Sequence, residues 1–236
     1  MPVALALYRQ WFRIRMRGLD QVPPAGAALI VANHSGVLPV DAVMLQAGLY
    51  ADHPAHRNLR LLGADLVYEM PGLGELARRS GHARADPASA AALLAAGELV
   101  GVFPEGFKGT GKPFRERYRL QRFGRGGFAR TAISAGVPII PCAIVGAEEI
   151  YPMIGNSRRA ARLLGLPYFP VTPLFPWLGP LGAVPLPSRW IIEFGAPVPT
   201  GGLAPDGDEA ADLAASVRDR IQARVDKLVA ERGPAF

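Results

Sequence analysis

Three groups of residues in this 236-residue chain have types and spacings that could do chemistry. The first is the segment NHSGVLPVD, which carries His34 and Asp41. An imidazole titrates near neutral pH and can take a proton from an alcohol. A carboxylate on its other ring nitrogen would fix the tautomer and stabilise the imidazolium that forms. Taken alone the pair assigns nothing, because a loop histidine is more often structural. The second group is VFPEG, in which Pro104 and Gly106 bracket Glu105 and would hold its carboxylate on a tight turn. A surface turn glutamate is the plainer reading of that motif. The third is a basic run: Lys108, Lys112, Arg115, Arg117, Arg119, Arg122, Arg125 and Arg130, interleaved with Phe114, Tyr118 and Phe123. Most such runs are solvated faces. This one is denser than a net charge of +6 requires, and it follows VFPEG directly. A phosphate-binding or headgroup-binding role suits it, since Arg and Lys pair well with phosphate oxygens.

The elements that must position these groups are apolar strands alternating with helices. AALIVAN is a short apolar run bounded by Pro23, Pro24 and Gly26, and it predicts a buried strand ending just before His34. Pro39 could start the helix VDAVMLQAGLY behind it. LRLLGADLV predicts a second strand. PGLGELARR and DPASAAALLAAG predict helices, the latter with Asp86 as N-cap, Pro87 in the first turn and Gly97 as C-cap. LVGVFPEG predicts a third strand that runs into the Glu105 turn. GGFARTAISAG then predicts a helix, VPIIPCAIVG and RWIIEFGAPV two more strands, and residues 208–232 a long closing helix. This alternation implies an α/β fold: a single domain over residues 1–236, with a largely parallel central sheet flanked by helices. Two polar sites at the ends of two core strands then point to one crevice.

Two segments stand apart. Residues 5–17 mix aromatic and aliphatic side chains with Arg9, Arg13, Arg15 and Arg17, and predict an amphipathic helix. Such a helix would either cap the core or lie in a membrane interface with its arginines near lipid phosphates. Residues 163–188 carry no charge, and seven prolines forbid a regular helix and interrupt any strand ladder. With Tyr168, Phe169, Phe175 and Trp177 in it, this stretch either covers the core or forms an apolar surface for lipid.

Composition bounds the remaining choices. Half the residues are hydrophobic and 19% are charged, which suits a globular chain and leaves little room for disorder. Twenty-three prolines and 27 glycines predict many short elements rather than a helical bundle. The single cysteine, Cys142, excludes an internal disulfide and a cysteine-rich zinc site, and its apolar surroundings predict an inert buried thiol. No signal peptide and no apolar run of roughly 20 residues are found, so no transmembrane span is expected. The net charge suits an anionic membrane face, a phosphate-bearing substrate or nucleic acid. Without a lysine-rich block or an RNA-binding aromatic motif, nucleic acid ranks last and is not expected as a partner. The expected location is peripheral, on the cytoplasmic face of a membrane.

NHSGVLPVD, VFPEG and VPIIPCAI, in this order and at these distances, resemble the glycerolipid acyltransferase family that includes the 1-acylglycerol-3-phosphate acyltransferases. The resemblance covers about residues 26–146. It implies an α/β domain in which His34, partnered by Asp41, is the general base. His34 would deprotonate an acceptor hydroxyl, which attacks the thioester of acyl-CoA or acyl carrier protein directly. It further implies acceptor binding by Phe103, Pro104, Glu105 and Gly106, with Lys108 and Lys112 nearby, and a VPIIP block beneath the site. No cofactor and no metal are expected; the acyl thioester is a co-substrate, and the acceptor is a lysophospholipid or another lipid. Two departures from the family pattern matter. Six residues separate His34 from Asp41 where four are usual, so the chain must bulge through Gly36 and Pro39. Arg84 is only an approximate match to the family's phosphate-gripping arginine, which keeps neutral acceptors such as diacylglycerol open. A non-catalytic lipid-binding adaptor on the same fold would be favoured by an Asp41 turned away from His34. A thioesterase would be distinguished by water alone consuming the thioester.

Overall fold

The computed structural model describes residues 2–35, 37–69, 73–124 and 126–234. Gly36 of the expected bulge, Pro71 and Gly72 of the PGLGELARR segment, and Arg125 of the basic run lie outside the described residues.

Strand β2 (Ala28–Ala32) is buried at every position, which is why its sequence is continuously apolar rather than alternating. It pairs in parallel with β5 (Leu99–Val102) on one side and with β6 (Ile139–Val145) on the other. Outward from β5 lie β3 (Leu59–Gly63) and β4 (Ala83–Arg84), both parallel to it. Beyond β6 the sheet reverses: β9 (Ile191–Phe194) is antiparallel, and β1 (Arg15–Arg17) pairs in parallel with β9. The order is β1-β9-β6-β2-β5-β3-β4, so five strands form the parallel core.

Helices cover both faces. On one, α2 (Val40–Asp52) packs Met44, Leu45 and Leu49 with Tyr8, Phe12 and Trp190. On the other, α5 (Pro87–Ala95), α7 (Gly127–Ala135) and α9 (Asp208–Arg232) bury Leu94, Ala132 and the α9 stripe Val217, Ile221, Val225 and Leu228. The stripe's spacing of four, four and three keeps these side chains on one helix face. Each fully buried aliphatic side chain contributes about 1.5–3 kcal/mol relative to exposure. Asp86 caps α5 by accepting from the Ser89 amide; the C-cap is Ala96, with Gly97 at φ +79° one residue further on. Short helices α3 (Asp65–Glu69) and α4 (Leu73–Arg79) follow β3, so the expected strand stops at Gly63.

The amphipathic helix expected over residues 5–17 is corrected. Helix α1 (Pro2–Ala6) passes into a π-turn at Leu7–Trp11, and residues 15–17 join the sheet as an edge strand. Phe12 and Ile14 face inward while Arg13 and Arg15 face outward, a period of two that overrides the helical spacing. Arg17 is taken by Glu231 and Glu193. In residues 163–188 the prolines leave room for a strand ladder of only two residues. Helix α8 (Arg158–Leu163) leads into this segment from a two-stranded ribbon, in which β7 (Gly155–Asn156) pairs with β8 (Pro170–Val171). Proline is tolerated there because a two-stranded ribbon is all edge.

Candidate active site

The register Val31↔Val102 brings the ends of β2 and β5 level, so residues 33–35 and 103–106 leave the sheet side by side. Such a strand-end crevice is where α/β folds place ligands. Asn33, fully buried, continues the ladder with its side chain. Its Nδ2 donates to the Ile144 carbonyl at 2.9 Å and its Oδ1 accepts from the Ile144 amide at 2.7 Å. The chain can therefore turn away from β6 without leaving buried polar groups unpaired.

His34 follows immediately. Its amide donates to Glu105 Oε1 at 2.9 Å, and its Nδ1 lies 2.8 Å from Asp41 Oδ2. Its ring packs on Phe103 with centroids 4.6 Å apart. Asp41 is wholly buried in the first turn of α2, where the helix N-terminus favours a carboxylate. Oδ2 also accepts from the Ser35 amide at 2.8 Å, and Oδ1 accepts from the Ala42 amide at 2.8 Å. The longer His–Asp loop thus still closes, with Pro39 in the position before the helix. This hydrogen bond counts against the adaptor reading.

Glu105 is buried, not a surface turn residue. Its second oxygen accepts from the Gln121 amide at 2.6 Å. Burial pushes its carboxyl above the usual range, opposed by Lys112 and by the Gln121 and His34 amides. Gly106 supplies the turn with φ +53° and starts the short helix α6 (Phe107–Thr110). At Gly109 a Cβ would lie 2.8 Å from Glu105 Cβ and 2.9 Å from the His34 carbonyl oxygen, so only glycine lets α6 press against the two motifs. The Tyr168 hydroxyl donates to the Val37 carbonyl, tying the proline-rich segment to the loop between His34 and Asp41.

His34, Asp41, Phe103, Glu105 and their turn residues Pro104 and Gly106 are therefore brought together. Lys108 is exposed on α6. Lys112 is buried, and its Nζ lies 3.0 Å from Glu148 Oε1 and 3.0 Å from the Arg119 carbonyl, so its charge is already matched inside the protein. Burial raises the Glu148 carboxyl to about 7, with Lys112 the strongest opposing influence. Arg84 stands on the outermost strand, 3.5 Å from Asp65, away from this group. Cys142 is fully buried in β6, and burial pushes its thiol up. Asn33, Gly109 and Gln121 are not singled out by sequence, and Tyr168 is marked there only as part of the apolar stretch, not for its tie to the His34–Asp41 loop. Asn33 carried a visible signal, since it stands at the end of the apolar strand beside His34.

A family model described as Acyltransferase matches residues 13–145, more than half of the chain. The chain belongs to this family. An uncharacterised protein of Mycobacterium tuberculosis is 52% identical over 239 aligned residues, covering 100% of this chain and 67% of that protein. A human protein named DGAT1/2-independent enzyme synthesizing storage lipids is 26% identical over 217 residues, covering 92% of this chain. The chain spans about three fifths of that relative's length (62%). Among solved structures, the 1-acyl-sn-glycerophosphate (LPA) acyltransferase PlsC from Thermotoga maritima matches with a TM-score of 0.65 and 19% identity, over 96% of this chain and 77% of that one. The α/β fold and the acyltransferase family expected from the three motifs both hold. Among the described residues, no helix is long and apolar enough to cross a membrane.

Proposed function

We propose that this acyltransferase moves an acyl chain from a thioester, acyl-CoA or acyl carrier protein, to a hydroxyl of a glycerolipid, with His34 as general base and Asp41 as the group that orients it. The observation that carries the reading is the 2.8 Å contact between His34 Nδ1 and Asp41 Oδ2. It leaves Nε2 as the free basic nitrogen of a ring held in place by Phe103. Nε2 would take the acceptor's hydroxyl proton while the oxygen attacks the thioester carbonyl carbon. Collapse of the tetrahedral intermediate breaks the C–S bond, and the imidazolium returns the proton to the departing thiolate. No acyl-enzyme is involved, consistent with the absence of a GxSxG elbow.

A neutral acceptor such as diacylglycerol is favoured over a phosphorylated one. Arg84 is engaged with Asp65 on the far strand, and Lys112 is engaged with Glu148. The relatives named for storage-lipid synthesis point the same way. Labelled acyl-CoA offered against lysophospholipids, diacylglycerol and long-chain alcohols tests this: the expected product is acylated diacylglycerol. Thioester consumption by water alone, with no acylated lipid, would replace transfer by hydrolysis.

The proline-rich segment supports peripheral attachment to a membrane. Leu163, Trp177 and Leu181 are 87%, 72% and 68% exposed, on a stretch without charge, beside Arg158, Arg159 and Arg162 of α8. Apolar surface left in water marks a binding face, and flanking arginines suit lipid phosphates. Replacing Trp177 and Leu181 with serine should cut partitioning onto anionic liposomes several-fold with little change in melting temperature. Unchanged partitioning would leave the segment without a membrane role.

A further inference from the structure

The catalytic group accounts for only the start of the basic run. Arg115, Arg117 and Arg119 continue past Lys112 and, with Tyr118 and Arg232, line an open cleft of ≈ 540 Å³. That volume lies in the range of small-ligand sites, about 300–1,000 Å³. The lining holds four arginines against two carboxylates, Glu149 and Asp226. Glu149 is paired with Arg232 and accepts from Tyr118, and Asp226 accepts from the neutral Gln222 amide, so four arginines against two carboxylates leave the lining with a surplus of positive charge. The rim guanidiniums are lightly held. Among the described residues Arg115 meets only Glu116, at 3.7 Å, and is 83% exposed. Arg117 lies over the Phe114 ring at 4.4 Å. Arg119 is exposed, and its side chain has no hydrogen bond or ion pair among the described residues. At the floor, Arg232 Nε is buried without an acceptor among the described residues, and Glu149 Oε2 without a donor among them.

The cleft adjoins the catalytic group. Two residues beyond Arg119, the Gln121 amide donates to the same Glu105 that holds the His34 amide. Two residues of extended chain span only about 7 Å. The Tyr118 amide donates to Glu148, which holds Lys112.

We propose that this cleft binds the phosphate-bearing nucleotide end of a coenzyme A thioester, and so orients the donor whose acyl carbon reacts at His34. The inference rests on the thioester-donor reading above and deepens it. Guanidiniums pair bidentately with phosphate oxygens and stack on planar rings, so three lightly held arginines beside Phe114 and Tyr118 suit a phosphorylated purine nucleotide.

Titration of the intact chain with coenzyme A itself tests the cleft without turnover. Wild type is expected to bind saturably, more weakly as salt rises. Arg115→Glu/Arg117→Glu/Arg119→Glu should weaken binding at least about tenfold, a cost of about 1.4 kcal/mol. These side chains lie at the surface, so the variant should melt with wild type. If it does not fold, Arg117→Ala and Arg119→Ala singly should each weaken binding severalfold. An absence of saturable binding by wild type overturns the proposal, and so does unchanged affinity in folded variants. Loss of binding to anionic phospholipid vesicles with coenzyme A affinity intact also overturns it, assigning the arginines to lipid headgroups. Coenzyme A binding by a wild-type chain that transfers no acyl group from any thioester would sink the catalytic reading while leaving the cleft in place.

Discussion

Replacing His34 with alanine is expected to lower acyl transfer about 10²–10⁴-fold, the usual worth of a positioned general base, while the protein keeps its fold. The local structure explains why the two effects separate. The position's tie to Glu105 runs through the backbone amide and survives the substitution. Asp41 keeps the Ser35 and Ala42 amides, so removing the imidazole leaves no buried carboxylate without donors. What is lost is one hydrogen bond and the ring contact with Phe103, at a partly accessible position where the side chain is 14% exposed. A melting curve close to that of wild type, with kcat reduced for every acceptor, is the expected pair of results. Wild-type turnover in purified His34→Ala would remove His34 from the mechanism.

The parts of this site that could be seen in the sequence are those written locally. An apolar strand followed at once by a polar block predicts a strand-end residue, and two such blocks at neighbouring parallel strands predict one crevice. His34 and Glu105 meet there because Val31 and Val102 are paired. What stayed hidden depends on partners distant in sequence. Lys112 looks like a solvated lysine until Glu148, 36 positions on, is folded against it. Glu105 looks like a turn glutamate until the amides of His34 and Gln121 enclose it. Arg84 lies near the expected place in sequence, but β4 is the outermost strand, and sheet order cannot be read from residue spacing.

The N-terminal segment departs from its helical spacing for a different reason. Residues 5–17 satisfy helical spacing as far as Trp11 and then change to strand alternation, with Phe12 and Ile14 buried against Trp190 and the rest of the core. A single pattern fitted across both parts could not find that boundary. The edge strand forms because β9 offers an unpaired side, and its parallel pairing with β9 is a tertiary choice.

Asp41→Asn is expected to reduce transfer on the order of 10²–10⁴-fold and also to cost stability, about 1–3 kcal/mol. The carboxylate accepts on both oxygens: Oδ2 from His34 Nδ1 and the Ser35 amide, Oδ1 from the Ala42 amide. An asparagine offers one acceptor oxygen and one donor group. With its oxygen at the Oδ2 position, its amide group opposes the Ala42 N–H, and a buried donor loses its partner. With the amide reversed, it opposes the Ser35 N–H and donates to His34 Nδ1. The imidazole is then held with its proton on Nε2, unable to accept one from an alcohol. The first arrangement lowers stability while keeping the tautomer, but it weakens the charge that supports an imidazolium. The second lowers both stability and rate. Because Asp41 acts through His34, the double variant His34→Ala/Asp41→Asn should turn over no more slowly than His34→Ala alone, as residues that work as a unit are not additive. Multiplying losses in the double variant would mean that Asp41 contributes to transfer by a route other than the imidazole.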